Sequence, residues 1–215
     1  MRAIRIGVTG KLGSGKSLLV KAMEARGIYC VRSDNLARDL METDPELRTR
    51  LAEILGPEVY HEGWLNRKFI ASQIFNNREL RRKVEAAVHP ATTAEIREIF
   101  QNNPGKLVVV ESALILQSKF REMFDYIVLV ESPDEAAIDR VVAEGRMSRA
   151  DAEARLAEQN QDATDPGEAD FVLDNSGTRE EFEKKCLTII GILETLKDRE
   201  LPKRPLHSLA PVSES

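Results

Sequence analysis

The residues best placed to do chemistry form one run, Gly10-Lys-Leu-Gly-Ser-Gly15-Lys16-Ser17, which fits the pattern G-x4-G-K-S/T. Its glycines allow backbone conformations that side chains would block, so successive N–H groups can wrap polyphosphate oxygens. Lys16 would bring a positive charge to the β- and γ-phosphates, and the Ser17 hydroxyl would ligate magnesium. The plain alternative is a glycine-rich turn with an incidental Lys and Ser. The dinucleotide pattern G-x-G-x-x-G fails, because Leu18 stands at its third glycine. There is no N-K-x-D guanine signature, and the D-x-x-G match, Asp174 to Gly177, follows the final predicted strand. A GTP-hydrolysing switch is therefore disfavoured.

Transfer of a phosphoryl group needs an acceptor held in line, often with a carboxylate near its hydroxyl. Asp34 follows the second predicted strand and should sit at the same carboxyl-end edge as the loop, where open α/β sheets bind ligands. It is the candidate base; a helix N-cap for residues 35–41 is its structural alternative. Glu111, ending the third strand, reads either as a carboxylate behind a magnesium ion or as a strand-end charge.

The elements that must position these groups follow from pattern. Ile4–Thr9 is rich in β-branched residues and reads as a buried strand, followed by a helix from Lys16 to about Arg26 and a strand over Gly27–Val31. That order is the βαβ unit of parallel sheets. From Asp34 to Asn103 the chain turns helical, an excursion from the sheet rather than a folding unit of its own. Asp44-Pro45 opens a helix to Leu55, and Asn66 caps another through Phe75. Arg78 to about Asn102 reads as one helix or as two joined near His89-Pro90. Lys106–Glu111 and Tyr126–Val130 are continuous apolar runs, as expected of strands covered on both faces. Ser132-Pro133 starts a helix toward Glu144, and Ser148 to Asp151 resembles a capping box for a helix to about Gln161. A short strand over Asp170–Asp174 precedes a helix capped by Thr178 and running to about Lys197.

The chain has 215 residues, 42% hydrophobic and 31% charged, the balance of an ordered globular protein. Its net charge of -5 argues against a nucleic-acid-coating protein. No apolar run is long enough to span a bilayer, and no secretory leader is read, so a membrane is not an expected partner. Cys30 and Cys186 lie far apart without metal-ligand spacing, which favours a reducing cytoplasm and buried-filler roles.

In order along the chain, Gly7-Val-Thr-Gly10 with the loop is followed by Ser33-Asp34-Asn-Leu-Ala-Arg38, then Gly63-Trp-Leu-Asn-Arg67, Phe75 and His89-Pro90. The strand Val108–Leu116, Arg140, Arg155-Leu-Ala-Glu-Gln159 and Ala169-Asp-Phe-Val-Leu-Asp-Asn175-Ser-Gly177 complete the series. Together these resemble the dephospho-coenzyme A kinase family; the chain beyond about Lys197 lies outside the resemblance. It implies an α/β fold, a P-loop NTPase-type parallel sheet flanked by helices, in one domain over 1–200. The core would take residues 1–33, 104–140 and 168–200, a helical substrate-binding insertion about 34–103 and a helical lid about 141–167. Residues 201–215 read as a flexible tail. The implied reaction moves the γ-phosphoryl of ATP, with magnesium, to the 3′-hydroxyl of dephospho-coenzyme A, the last step of coenzyme A biosynthesis.

By the same resemblance, ATP would contact Gly10, Leu12, Gly13, Ser14, Gly15, Lys16, Ser17 and Leu18, with Asn175 and Gly177 bordering its adenine. Asp34 would be the base, Arg38 and His89 would place the acceptor with Gln159, and Arg140 and Arg155 would supply charge at the transferring phosphate. Four positions depart from the family pattern: Lys11 for a glycine, Arg32 for the first aspartate of an Asp-x-Asp pair, Gln117 for a glutamate and Glu144 for a lid arginine. Arg146 or Arg149 is the candidate compensating cation. The alternatives are another small-metabolite or nucleotide P-loop kinase, or a nucleotide-binding protein without turnover. Oligomeric state is not legible.

Overall fold

The computed structural model describes residues 2–75, 77–117, 119–161 and 166–196. The predicted tail, the end of the last helix at Lys197 and the Gln117 side chain lie outside them. Of the described residues, those up to Val31 and from Asn103 onward form one compact unit, and those within Arg32–Asn102 form another.

In the first unit, β1 (Ile4–Thr9) is buried at every position. The loop leads into α1 (Lys16–Ala25), whose Leu19, Val20 and Met23 face the core. Gly27 takes φ 75°, so its N–H and that of Ile28 turn back to the carbonyls of Glu24 and Met23 at 2.9 and 3.1 Å. Those two residues finish the helix, and β2 therefore begins at Tyr29 rather than Gly27, running to Arg32.

The second unit opens with α2 (Ser33–Thr43), which starts at Ser33 with Asp34 inside its first turn. The alternative capping role for Asp34 is thus incorrect: Arg32 occupies the cap position, without a side-chain hydrogen bond. Asp44 does cap α3 (Pro45–Leu55), accepting from the N–H groups of Glu46 and Leu47. A two-stranded hairpin, β3 (Tyr60–His61) and β4 (Trp64–Leu65), is not among the expected elements, because strands of two residues carry no periodicity. Its turn uses consecutive positive φ values, 49° at Glu62 and 86° at Gly63, which match the twist of paired strands. Asn66 caps α4 (Arg67–Ile74), and α5 (Arg78–Gln101) is a single helix that runs through Pro90. Its continuity follows from a stripe at helical spacing, Val84, Ala87, Val88, Thr92, Ile96 and Phe100, whose burial outweighs the hydrogen bond that Pro90 cannot make. Leu47, Leu51, Val59, Ile70, Val84 and Val88 share one buried cluster, so the helical segment has an apolar core of its own. Tyr60 donates to the Met41 carbonyl at 2.7 Å while the Arg48 guanidinium lies 4.0 Å above its ring.

The first unit resumes with β5 (Leu107–Glu111) and β6 (Tyr126–Glu131). Next come α6 (Asp134–Ala143), α7 (Arg149–Gln161), β7 (Phe171–Asp174) and α8 (Arg179–Thr195). The sheet order is β2-β5-β1-β6-β7, with β1 parallel to β5 and β6, and β6 parallel to β7. The central β1 therefore aims the loop out of the middle of the sheet's carboxyl edge. Thr178 and Glu181 complete a capping box on α8. Ser148 makes only half of one, since its hydroxyl donates to the Asp151 carboxylate instead of leaving that carboxylate for the backbone. Near the amino ends of β1 and β6, Arg5 and Asp125 form a buried pair at 2.7 Å, joined by Arg2 at 2.8 Å. Both cysteines are free; burial pushes the Cys186 thiol up to about 11, which keeps it protonated and inert.

Candidate active site

The loop between β1 and α1 is held open by its glycines. Gly10, Gly13 and Gly15 have φ values of 146°, 68° and 109°, a region that L side chains rarely adopt. A Cβ at Gly13 would also sit 2.4 Å from the Ala137 carbonyl oxygen, and one at Gly10 2.2 Å from that of Val130. Among the described residues, the N–H groups of Gly13 and Gly15 meet no acceptor. The first turn of α1 has neither a side-chain cap nor an acidic residue. Backbone donors and a helix N-terminus thus lie together with no acidic residue in that turn, the arrangement that binds phosphate oxygens.

Lys16 stretches its amine over this cradle, where Nζ donates to the carbonyls of Gly10 and Lys11, each at 2.7 Å. Ser17 Oγ donates to Glu111 Oε1 at 3.1 Å, which brings a hydroxyl and a strand-end carboxylate together beside the loop. The pair suits magnesium, which prefers hard oxygen donors and shares its shell with phosphates and water. No three His, Cys, Asp or Glu side chains cluster as a protein metal cage among the described residues.

Behind the loop, several predicted site residues act as supports. Asn175 is buried; its Nδ2 donates to the Ser14 carbonyl at 2.8 Å, and its own backbone carbonyl receives Arg140 Nη2 at 2.7 Å. Arg140 Nη1 reaches the Gly13 carbonyl at 3.2 Å and Ser132 Oγ at 2.7 Å. The guanidinium therefore ties the loop, the end of β6 and the segment after β7 to one another. Ser132, directly before the Pro133 cap of α6 as the sequence reading places it, also belongs to this support, since its hydroxyl accepts from Arg140 and donates to the Asn175 carbonyl. Local pattern could not reveal that, because the partners lie up to 43 residues away. Gly177 is exposed at the entry to α8, with the Glu181 carboxylate against it.

The α7 helix reaches the loop from another side. Ala152 and Leu156 bury against Ala137 and Ile138 of α6, with Leu12 of the loop packed on the same cluster. Gln159 Oε1 accepts the Leu12 N–H at 2.9 Å. Asp134, at the start of α6, receives Asn160 Nδ2 at 2.8 Å and lies 3.7 Å from Lys11 Nζ. Both members of the Lys11–Asp134 pair are almost half exposed, and such pairs contribute about 1 kcal/mol at most. Of the candidate compensating cations, Arg149 is bound to Glu135 at 2.7 Å and to Asp139, and Arg146 pairs with Glu144 at 3.4 Å. Arg155 is exposed, with no partner among the described residues. Thr9, Gly10, Lys11, Ser14 and Gln159 line a cleft of about 60 Å³. The Ser14 hydroxyl is buried in it without a hydrogen-bond partner among the described residues.

In the second unit the predicted acceptor residues stand on helix surfaces. Asp34 and Arg38 are one turn apart on α2, so they share a face; Asp34 is exposed and Arg38 donates to Asn35. His89 is exposed on α5, directly before Pro90.

Comparison with known proteins agrees with this anatomy. The family model described as dephospho-CoA kinase matches residues 4–181. A dephospho-CoA kinase of Corynebacterium jeikeium is 34% identical over 182 residues, covering 83% of this chain and 94% of the relative. One from Leptospira interrogans is 30% identical over 190 residues, covering 87% and 92%. Another, from Mycolicibacterium paratuberculosis, is 31% identical over 97% of this chain, which spans only 53% of that longer relative. Among solved structures, TT1252 from Thermus thermophilus superposes with a TM-score of 0.73 at 28% identity, over 90% of this chain and 99% of that one. A dephospho-CoA kinase from Campylobacter jejuni, 23% identical, shares the fold with a TM-score of 0.61 over 89% and 97% of the two chains. A phosphate-binding loop on the central strand of a parallel sheet, within a match running from Ile4 to Glu181, leads to one conclusion: this chain belongs to the dephospho-CoA kinase family.

Proposed function

We propose that the chain transfers the γ-phosphoryl group of ATP to the 3′-hydroxyl of dephospho-coenzyme A, giving coenzyme A and ADP by direct in-line displacement. The observation that carries this reading is the loop itself. Glycine-shaped backbone donors, the Lys16 amine and the Ser17–Glu111 pair converge at one strand end, in a chain of this family. Loose, highly charged transition states of this kind are stabilised by position and charge rather than by covalent chemistry. In this role the Gly13 and Gly15 amides would hold phosphate oxygens, and Lys16 would shift its amine from loop carbonyls to the phosphates. Ser17 and Glu111 would hold magnesium, which when bound neutralises charge on the transferred group.

The geometry around Arg140 and Asn175 favours a different role from contact with the nucleotide. Their hydrogen bonds go to the loop and to each other, so both would act by fixing the loop's shape. Gln159 likewise accepts from the Leu12 amide, so Arg155, one turn away on α7, remains the lid residue closest in type to a phosphate contact. On the acceptor side, Asp34 would take the hydroxyl proton while Arg38 and His89 orient the acceptor, roles that rest on the family resemblance. No described helix is long and apolar enough to cross a membrane; the free cysteines suit the cytoplasm we propose as its compartment.

The test is ADP release with ATP and magnesium, comparing dephospho-coenzyme A, adenosine, AMP and no acceptor. Stimulation by dephospho-coenzyme A alone, with coenzyme A found by mass, is the expected result. Equal rates with and without acceptor would overturn it. Stimulation by adenosine or AMP instead would keep a P-loop kinase and replace the substrate.

A further inference from the structure

The chain carries a cation in its phosphate loop to which the proposed reaction gives no role. Lys11 is the second residue of the loop, lines the small cleft with Ser14 and Gln159, and keeps its side chain 44% exposed. Its ion-pair partner among the described residues is Asp134, 3.7 Å away, beyond hydrogen-bond distance. Asp134 also receives Asn160 at 2.8 Å and keeps that donor whether or not Lys11 stays.

Apart from Arg155, which is exposed on α7 without a partner among the described residues and already carries a proposed phosphate role, the other cations near the loop are committed. Arg140 serves two backbone carbonyls and a hydroxyl, and moving it would strip donors from the loop it supports. Arg149 holds two carboxylates of α6, and Arg146 is paired with Glu144, an acid. A triphosphate arriving at the loop needs counter-charge beyond Lys16, and among the paired cations around it the one whose release costs least is Lys11, which the loop itself carries. From this contrast we infer that Lys11 is a second phosphate-binding lysine, which leaves Asp134 for the terminal phosphate of a bound nucleoside triphosphate. Asp134 is then a competitor for the amine, not its structural anchor. A lysine suits this exchange: its ammonium is a point charge on a flexible stem and needs no fixed fork geometry. The inference rests on the reading that this loop binds ATP.

Equilibrium binding of ATP and ADP with magnesium, in the absence of acceptor, tests it on the full chain. Lys11→Ala should weaken ATP about tenfold and ADP by less than about threefold, the size of one partly screened charge interaction at the third phosphate. Lys11→Arg should retain most of the ATP affinity. Asp134→Asn should bind ATP at least as tightly as the parent, because the amine loses its competitor. Thermal melting of each variant separates a binding defect from a folding defect. An unchanged ATP-to-ADP affinity ratio in Lys11→Ala would overturn the inference. So would an Asp134→Asn variant that loses ATP affinity to the same degree, since Lys11 would then act only by tying α6 to the loop. A parent chain that binds ATP but makes no coenzyme A would sink the proposed reaction and leave this result standing. A parent that binds no ATP would overturn both.

Discussion

The phosphate loop and the helical unit solve two different problems of placement. Around the loop almost every group is pinned from behind: Arg140 and Asn175 hold its carbonyls, Gln159 holds its Leu12 amide, and the Ala137 backbone fills the space where Gly13 has no Cβ. In the helical unit the buried work is done by apolar side chains, while Asp34 and His89 stand exposed on the surfaces of α2 and α5. A loop that must present donors to polyphosphate gains from being rigid before the ligand arrives, since no reorganisation is then needed at the moment of transfer. The residues proposed to meet a long acceptor need only a firm helix beneath them. Substitutions at the loop should therefore fail through shape and charge together. Those in the helical unit should leave nucleotide binding intact.

Four changes would break or sharpen that contrast, in falling order of effect. Lys16→Ala should lower turnover by about three orders of magnitude, the scale of removing a cation from a transferring phosphate; an ADP-release assay reads it directly. Gly13→Ala forces a side chain into φ 68° and against the Ala137 carbonyl, costing about 2 kcal/mol or more in loop conformation. Its ATP affinity should drop roughly thirtyfold or more, with acceptor affinity unchanged. Asn175→Ala removes the buried donor to the Ser14 carbonyl, a cost of about 1–3 kcal/mol. Calorimetry should show a lower melting temperature alongside weaker ATP binding; a change in binding alone would point to direct contact with the nucleotide. Last, His89→Ala on the exposed face of α5 should raise the KM for dephospho-coenzyme A by roughly 3–10-fold and leave the melting temperature and ATP affinity where they were.

Much of the nucleotide side is legible in the sequence because its information is local. A glycine run between a β-branched strand and an amphipathic helix states its own geometry, and the structure places that run at the end of the central strand. The caps at Asp44, Asn66 and Thr178 are legible for the same reason, each reporting a hydrogen bond within three residues. Non-local interactions are not. Ser132 has the pattern of a helix start, yet its hydroxyl serves Arg140 and Asn175 across the fold. Arg140 is expected at the transferring phosphate, and only three-dimensional packing gives its guanidinium to backbone carbonyls. The capping alternative for Asp34 fails because Ser33 continues the chain into α2 one residue earlier. The hairpin over Tyr60–Leu65 is too short for any period, although its Glu62-Gly63 turn carries a usable signal. The roles of Asp34, Arg38 and His89 come from resemblance alone, because an exposed side chain on a helix has no local pattern to announce it.

The proposed division between a loop that binds nucleotide and a helical unit that serves the acceptor is tested most directly by Asp34→Asn. Steady-state turnover with dephospho-coenzyme A and equilibrium ATP affinity should be measured on the same preparation. Turnover should fall by about a hundredfold or more, the scale of removing a general base, while ATP affinity holds within about twofold. Parallel loss of both, or near-normal turnover, would contradict the account.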